Sequence, residues 1–111
     1  MNVEEFMKKN NIAILVEVDL KNKKMDIKKT DIELESPDLF KQLIEYGNVE
    51  SLIECVEGRL LPRIWAQGNT KCIISKASEE KIIVLFYDWY SDAKGDYFHA
   101  EQLDKQLCEM F

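Results

Sequence analysis

Apolar residues fall at every second position along residues 12–20, and the positions between them become polar at Glu17 and Asp19. A period of two is typical of a strand that buries one face and turns the other toward solvent. The pattern therefore predicts a strand here. Residues 21–24 are polar and predict the turn that leads into a second strand.

The second strand has an interruption in its pattern. Its apolar positions change from odd to even numbers between Ile27 and Ile32. Since one face of a strand holds residues of a single parity, we expect a bulge or a strand end near residues 29–31. The same segment contains a cluster of basic residues, namely Lys21, Lys23, Lys24, Lys28 and Lys29. Lysines protect an edge strand from pairing with other chains, which explains the cluster without any ligand.

Three more strands are predicted in direct succession, with the sequences RIWAQ (63–67), TKCIISKA (70–77) and KIIVLFYDWY (81–90). Short turns at residues 68–69 and 78–80 separate them. The last strand is apolar at every position along residues 82–86, which is typical of a strand that is covered on both faces. We therefore expect it near the centre of the sheet.

Helical spacing of apolar residues marks both ends of the chain. Asn2 and Glu5 form a capping-box pattern in front of a short first helix. Near the other end, an apolar stripe begins at Ala100 and predicts a final helix, with Asp96 as its expected N-cap.

A middle helix is predicted from the sequence Ser36, Pro37 and Asp38. The serine side chain is expected to cap free amides, proline is tolerated in the first turn, and an acid is favourable near the positive end of the helix. Gly47 predicts a break in this helix, and Pro62 predicts its end.

The elements predict an α+β fold, a single domain over residues 1–111. Their order is α-β-β-α-β-β-β-α, around one central sheet of about five mostly antiparallel strands with flanking helices. We expect the first and last strands to be neighbours in the middle of the sheet.

This order of elements over residues 3–110, together with the run of three strands at residues 63–90, resembles the profilin-like fold and, within it, the dynein light chain roadblock family. The resemblance implies a homodimer or heterodimer that acts as a scaffold or regulator. It further implies small GTPases as frequent partners, and no catalysis by the domain itself.

Composition narrows the classes of partner. The chain has 111 residues, of which 46% are hydrophobic and 32% charged, and its net charge is -6. This charge disfavours binding to nucleic acid or to anionic lipid, because both depend on basic residues, so a protein partner is favoured. No apolar stretch approaches the ~20 residues that cross a bilayer, and no secretion signal is recognised, so we expect a cytoplasmic protein.

Residues with potential for chemistry are few. Cys55, Cys72 and Cys108 show no metal-binding spacing, and the single histidine, His99, forms no local dyad with them. Three acidic residues, Asp88, Asp92 and Asp96, surround a glycine but lack the spacing of a calcium loop. Turn and capping chemistry explains them more simply. We therefore predict no catalytic residue, no metal site and no cofactor, although selective reactivity of one thiol would revive an enzyme hypothesis.

Aromatic residues give the better functional indication. The predicted protein interface consists of Arg63, Ile64, Trp65, Trp89 and Tyr90. Large aromatic side chains and arginine are enriched at the energetic centres of interfaces, although both tryptophans are equally compatible with the core. If residues 63–67 form an edge strand, they are able to pair with the same strand of a second copy.

An alternative hypothesis is a small acidic inhibitor, an immunity or anti-defence protein that masks a basic site on a nuclease or toxin. Its predicted interface is the acidic set Glu33, Glu35, Asp38, Glu45, Glu50 and Glu54. Complementary charge steers such partners together, and partner affinity is then expected to depend strongly on salt.

Overall fold

A computed structural model describes residues 2–45, 54 and 63–111 of the chain. Its elements are α1 (Val3–Lys9), β1 (Ile14–Asp19), β2 (Lys24–Lys29), α2 (Asp38–Phe40) with a π-helical continuation (Lys41–Glu45), β3 (Arg63–Gln67), β4 (Thr70–Lys76), β5 (Lys81–Asp88) and α3 (Ala93–Met110). The predicted helix break at Gly47 and the helix end at Pro62 lie outside the described residues.

The five strands form one sheet in the order β2-β1-β5-β4-β3, and all neighbouring strands are antiparallel. The first and last strands of the chain are therefore adjacent at the centre of the sheet, as predicted, with Val16 opposite Val84. The predicted α+β class and element order are confirmed.

Both faces of β5 are buried, which explains its uninterrupted apolar sequence. Ile82, Val84 and Phe86 belong to a core layer under α2, where the rings of Phe40 and Phe86 meet edge to face with centroids 5.2 Å apart. The residues between them belong to a second layer under α1 and α3. That layer includes Ile83, Leu85, Tyr87, Phe6, Ala100, Leu103 and Leu107.

The second strand ends at Lys29, within the interval predicted from the change of parity. Beyond it, the Thr30 amide donates to the Ala13 carbonyl (2.9 Å), and the Thr30 hydroxyl donates to the Ile12 carbonyl (3.0 Å). These bonds fix the point at which the chain leaves the sheet. Ile32 therefore does not belong to the strand.

Of the three N-cap residues predicted from the sequence, one is confirmed and two are wrong. Asn2 caps α1, as predicted, by accepting a hydrogen bond from the Glu5 amide (2.8 Å). The prediction of Ser36 as the cap of the middle helix is wrong, because Pro37 occupies that position without a side-chain capping bond. Asp96 is also not a cap, since α3 starts earlier and Asp92 accepts from the Gly95 amide (2.7 Å). The glycine suggested a turn but lies inside the helix.

Candidate protein interface

The edge of the sheet formed by β3 contains three of the predicted interface residues. Within the described part of the chain, β3 pairs with β4 alone, and Ile64 and Trp65 lie opposite Ile73 and Cys72. Ile64 packs against the α1 and α3 layer and Trp65 against the α2 layer, and each is half-buried. Arg63 starts the strand. The structure thus brings these three positions together on an open edge.

Gly68 makes the tight turn that connects this edge strand to β4. Its φ of +60° lies in the left-handed region, which glycine adopts without the steric cost that a side chain brings. Only residues 68 and 69 separate the two strands, so this short turn fixes the register between β3 and β4. It also brings the end of β3 close to the end of β5.

Trp89 and Tyr90 lie at that end of the sheet and not along the open edge. The Trp89 amide donates to the Asn69 carbonyl in the turn (2.9 Å), and its indole stacks on His99 with ring centroids 3.6 Å apart. Tyr90 is 67% exposed, and a hydrogen bond with the Glu35 side chain raises its pKa. The predicted interface therefore comprises two neighbouring parts, the β3 edge and the sheet end.

A polar cluster at the same end connects the sheet to the start of α2. The buried Thr70 hydroxyl donates to Asp88 (2.6 Å) and accepts from the Ser36 amide (2.9 Å), while Asp88 also accepts from the Glu35 amide (3.1 Å). These bonds hold the segment before α2 against β4 and β5. Sequence reasoning missed the cluster, although the threonine at the start of an apolar strand was a signal.

A buried ion pair lies between the sheet and α3. The Lys71 ammonium is 3.1 Å from the Asp96 carboxylate, and the two side chains are only 8% and 15% exposed. The second oxygen of Asp96 and the Nε2 atom of His99 are buried without a hydrogen-bond partner among the described residues. No sequence pattern indicated this cluster, because Lys71 and Asp96 belong to different elements that are distant in the chain.

The burial of His99 predicts a loss of stability in acid. Burial lowers the pKa of His99 below its ordinary value of 6.5, and Asp96 opposes this effect. The unfolded chain therefore binds a proton more readily than the folded one, so the free energy of unfolding falls as the pH falls from about 6.5 toward the folded pKa.

Urea denaturation at about pH 7.5 and about pH 5.5 measures this loss, with His99→Gln as the control for carboxylate titration. The wild-type protein is expected to lose more stability between the two values than the variant loses. Equal losses of stability in the two proteins would contradict the assignment of this pH dependence to His99.

The acidic set of the alternative hypothesis is only partly assembled. Its described members, Glu33, Glu35, Asp38, Glu45 and Glu54, are exposed, and Glu50 lies outside the described residues. Glu35 is already engaged by the Tyr90 hydroxyl. Among the described members, only Glu33, Asp38, Glu45 and Glu54 therefore remain to contact a basic partner.

The described cysteines lack the environment that a catalytic thiol requires. Cys72 is buried, which raises the pKa of its thiol, and partial burial together with Asp104 raises that of Cys108. A nucleophilic thiolate needs the opposite shift. Cys55 lies outside the described residues. Within residues 2–45, 54 and 63–111, no group of three or more histidine, cysteine or acidic residues is arranged to hold a metal.

The three aspartates that surround Gly95 are engaged separately, Asp88 with the segment before α2, Asp92 as a helix cap and Asp96 with a lysine. Each therefore has a structural role of its own. Among the helices that the structure describes, none has the length and apolar character needed to cross a membrane.

Comparison with known proteins identifies the fold. No family model matches the sequence, and no curated protein matches it. Solved structures that are similar over most of the chain include three of MglB. An MglB with a tetrameric arrangement shares 14% identity, covers 96% of this chain and 82% of its own, and superimposes with a TM-score of 0.57.

The other two are the gliding protein MglB from Thermus thermophilus (13% identity, 96% and 83% coverage, TM-score 0.53) and MglB from Myxococcus xanthus (13%, 95% and 87%, TM-score 0.51). At this level of identity the likeness concerns the fold. The predicted resemblance is confirmed in that sense, since the chain has a roadblock-like fold.

Proposed function

We propose that this protein is a non-catalytic interaction module that forms a homodimer through β3 and acts in the cytoplasm as a scaffold or regulator. The observation that supports it best is the position of residues 63–65 on an open edge of the sheet. An edge strand presents a row of backbone donors and acceptors that another strand is able to complete.

The same strand from two copies pairs naturally in the antiparallel direction around a two-fold axis. Two five-stranded sheets would then form one sheet of ten strands. Ile64 and Trp65 face opposite sides of β3, so a second strand would cover the exposed part of each. β3 has only five residues, so side chains on both faces must contribute to the stability of the dimer.

A small GTPase is the partner that the roadblock resemblance implies, and we propose that the dimer binds one. The fold shared with MglB supports this proposal, and the tetrameric arrangement of one MglB is consistent with self-association. The inhibitor hypothesis has no comparable support, because none of the three MglB structures is described as an inhibitor.

Sedimentation equilibrium over a range of concentrations tests self-association. We expect a mass of twice the 13.0 kDa chain, and a shift toward the monomer in Trp65→Ala and in Ala66→Lys. Ala66 is exposed on β3, so the lysine is compatible with the fold but opposes pairing of two copies. Ile27→Lys, on the other edge strand, is the matched control and is expected to leave the dimer intact.

A monomer at every concentration, with a mass that neither β3 variant changes, would contradict the proposal. Loss of the dimer in Ile27→Lys alone would show that the interface lies at β2 and not at β3, which would also contradict the proposal. Circular dichroism of each variant establishes that the fold is retained, because a mass measurement has meaning only for folded chains.

A further inference from the structure

The second open edge of the sheet differs from the first in charge. β2 pairs with β1 alone among the described strands, and five of its six residues are exposed. Residues 19–29 contain five lysines and two aspartates, a local charge of +3 within a chain of net charge -6. We call this surface, β2 with the turn before it, the lysine edge.

Exposed aliphatic surface accompanies the lysine edge. Ile27 is 41% exposed on β2, and Ile32 is 39% exposed shortly after the strand ends. Beyond that end lies a cleft of about 320 Å³ between the sheet and α2, whose apolar lining includes Ile14, Ile32 and Phe40. Lys29 also lines the cleft, and its ammonium lies 5.1 Å from the centroid of the Phe40 ring.

We propose that the lysine edge binds an extended acidic segment of a partner protein, which adds beside β2 as a further strand. The open backbone of β2 provides hydrogen bonds to the added chain, and acidic side chains pair with the lysines. An aliphatic side chain of the segment occupies the space between Ile27 and the cleft. Binding at this edge does not depend on self-association through β3.

Charge also excludes the competing occupants. Antiparallel pairing of two β2 strands about a two-fold axis places residues on the same face of the strand opposite each other. In the register centred on Asp26, Lys24 of each copy would lie opposite Lys28 of the other, and like charges directly opposite are destabilising. Both edges would also carry the same local charge of +3. A second copy is therefore disfavoured at this edge. Nucleic acid would not use the strand's backbone groups, and no aromatic residue lies on β2 to stack a base.

Two synthetic peptides of about nine residues provide the probe, a length that is sufficient to pair along the six residues of β2. One alternates glutamate and valine, and its matched control alternates lysine and valine. Fluorescence anisotropy of the labelled peptides is expected to show that the acidic peptide binds roughly tenfold or more tightly than the basic one.

Matched variants separate local charge from net charge. Lys24→Glu/Lys28→Glu is expected to weaken binding of the acidic peptide by roughly tenfold, since two close attractions become repulsions. Lys94→Glu/Lys105→Glu, on exposed positions of α3, changes the net charge equally and is expected to leave the affinity within about twofold, because distant exposed charges are screened. Ile27→Asn is expected to weaken binding severalfold through the lost apolar contact.

Hydrogen exchange identifies the mode of binding. Added peptide is expected to slow the exchange of amides in β2 and to leave β3 unchanged, whatever the oligomeric state. Absence of peptide binding would overturn the proposal. So would binding without slower exchange in β2, or equal affinity for duplex DNA or for vesicles of anionic phospholipid, because these results indicate a general polyanion surface.

Discussion

Replacing Lys71 by methionine is expected to lower the free energy of unfolding by about 3 kcal/mol, because it leaves the largely buried carboxylate of Asp96 without a counter-ion. One oxygen of Asp96 already lacks a hydrogen-bond partner among the described residues, so the lysine is its principal compensation. The loss is far larger than that expected for a pair at the surface. Urea denaturation at neutral pH measures it.

The double variant Lys71→Met/Asp96→Leu distinguishes two causes of the lost stability, an unpaired carboxylate and lost side-chain packing. Removing both charges is expected to recover most of the stability, since apolar pairs of similar volume replace buried ion pairs at little cost. Lys81→Met is the control at the more exposed pair with Glu17, where side-chain exposures are 35% and 21%, and a clearly smaller loss is expected there. Equal losses at the two pairs would contradict the interpretation.

Phe86→Ala is expected to destabilise the protein by about 3–5 kcal/mol, because it opens a cavity in the central strand. Phe86 is fully buried, and its ring meets that of Phe40, so the change also loosens the contact between the sheet and α2. Thermal and urea denaturation measure the effect. Many domains of this size do not remain folded after a loss of this magnitude.

A matched truncation on the outer strand provides the comparison. Ile27→Ala removes a side chain that is 41% exposed on β2, and a loss below about 1 kcal/mol is expected there. The difference between the two sites reflects their positions in the sheet. A small effect at Phe86 would show that β5 is not the centre of the core.

The sequence predicted the sheet well because its main features are set by local patterns. The apolar run in β5 requires cover on both faces, and the alternation in β1 defines one buried face over most of its length. The change of parity after Ile27 located the end of β2 correctly. Each of these patterns depends on residues that are close together in the chain.

Features that depend on distant residues were not predictable in the same way. The partners of Thr70 and Asp88 come from the segment before α2, and Lys71 meets Asp96 only after α3 packs on the sheet. The assignment of Asp96 as a cap failed for the same reason, because its carboxylate is directed to a lysine in another element. Burial of polar groups is settled by tertiary contacts, which local periodicity does not encode.

The candidate interface residues show the same contrast between features set by local patterns and features set by tertiary contacts. Pairing with a second copy was considered on the condition that residues 63–67 form an edge strand, and β3 does lie at the edge of the sheet. By contrast, the stacking of Trp89 on His99 joins residues from a loop and a helix, and no sequence pattern indicated it. The candidate interface was therefore predicted as one set of five residues, whereas the structure places three of them on the β3 edge and two at the sheet end.

Hydrogen exchange of the β3 amides, followed as a function of protein concentration, tests the central claim of pairing between β3 edges. In a dimer, both sides of the strand are hydrogen-bonded, so all of its amides are expected to exchange slowly and to become less protected on dilution. Fast exchange of every second amide in β3 at all concentrations would contradict the account, because it would show that the outer side of this strand remains open to water.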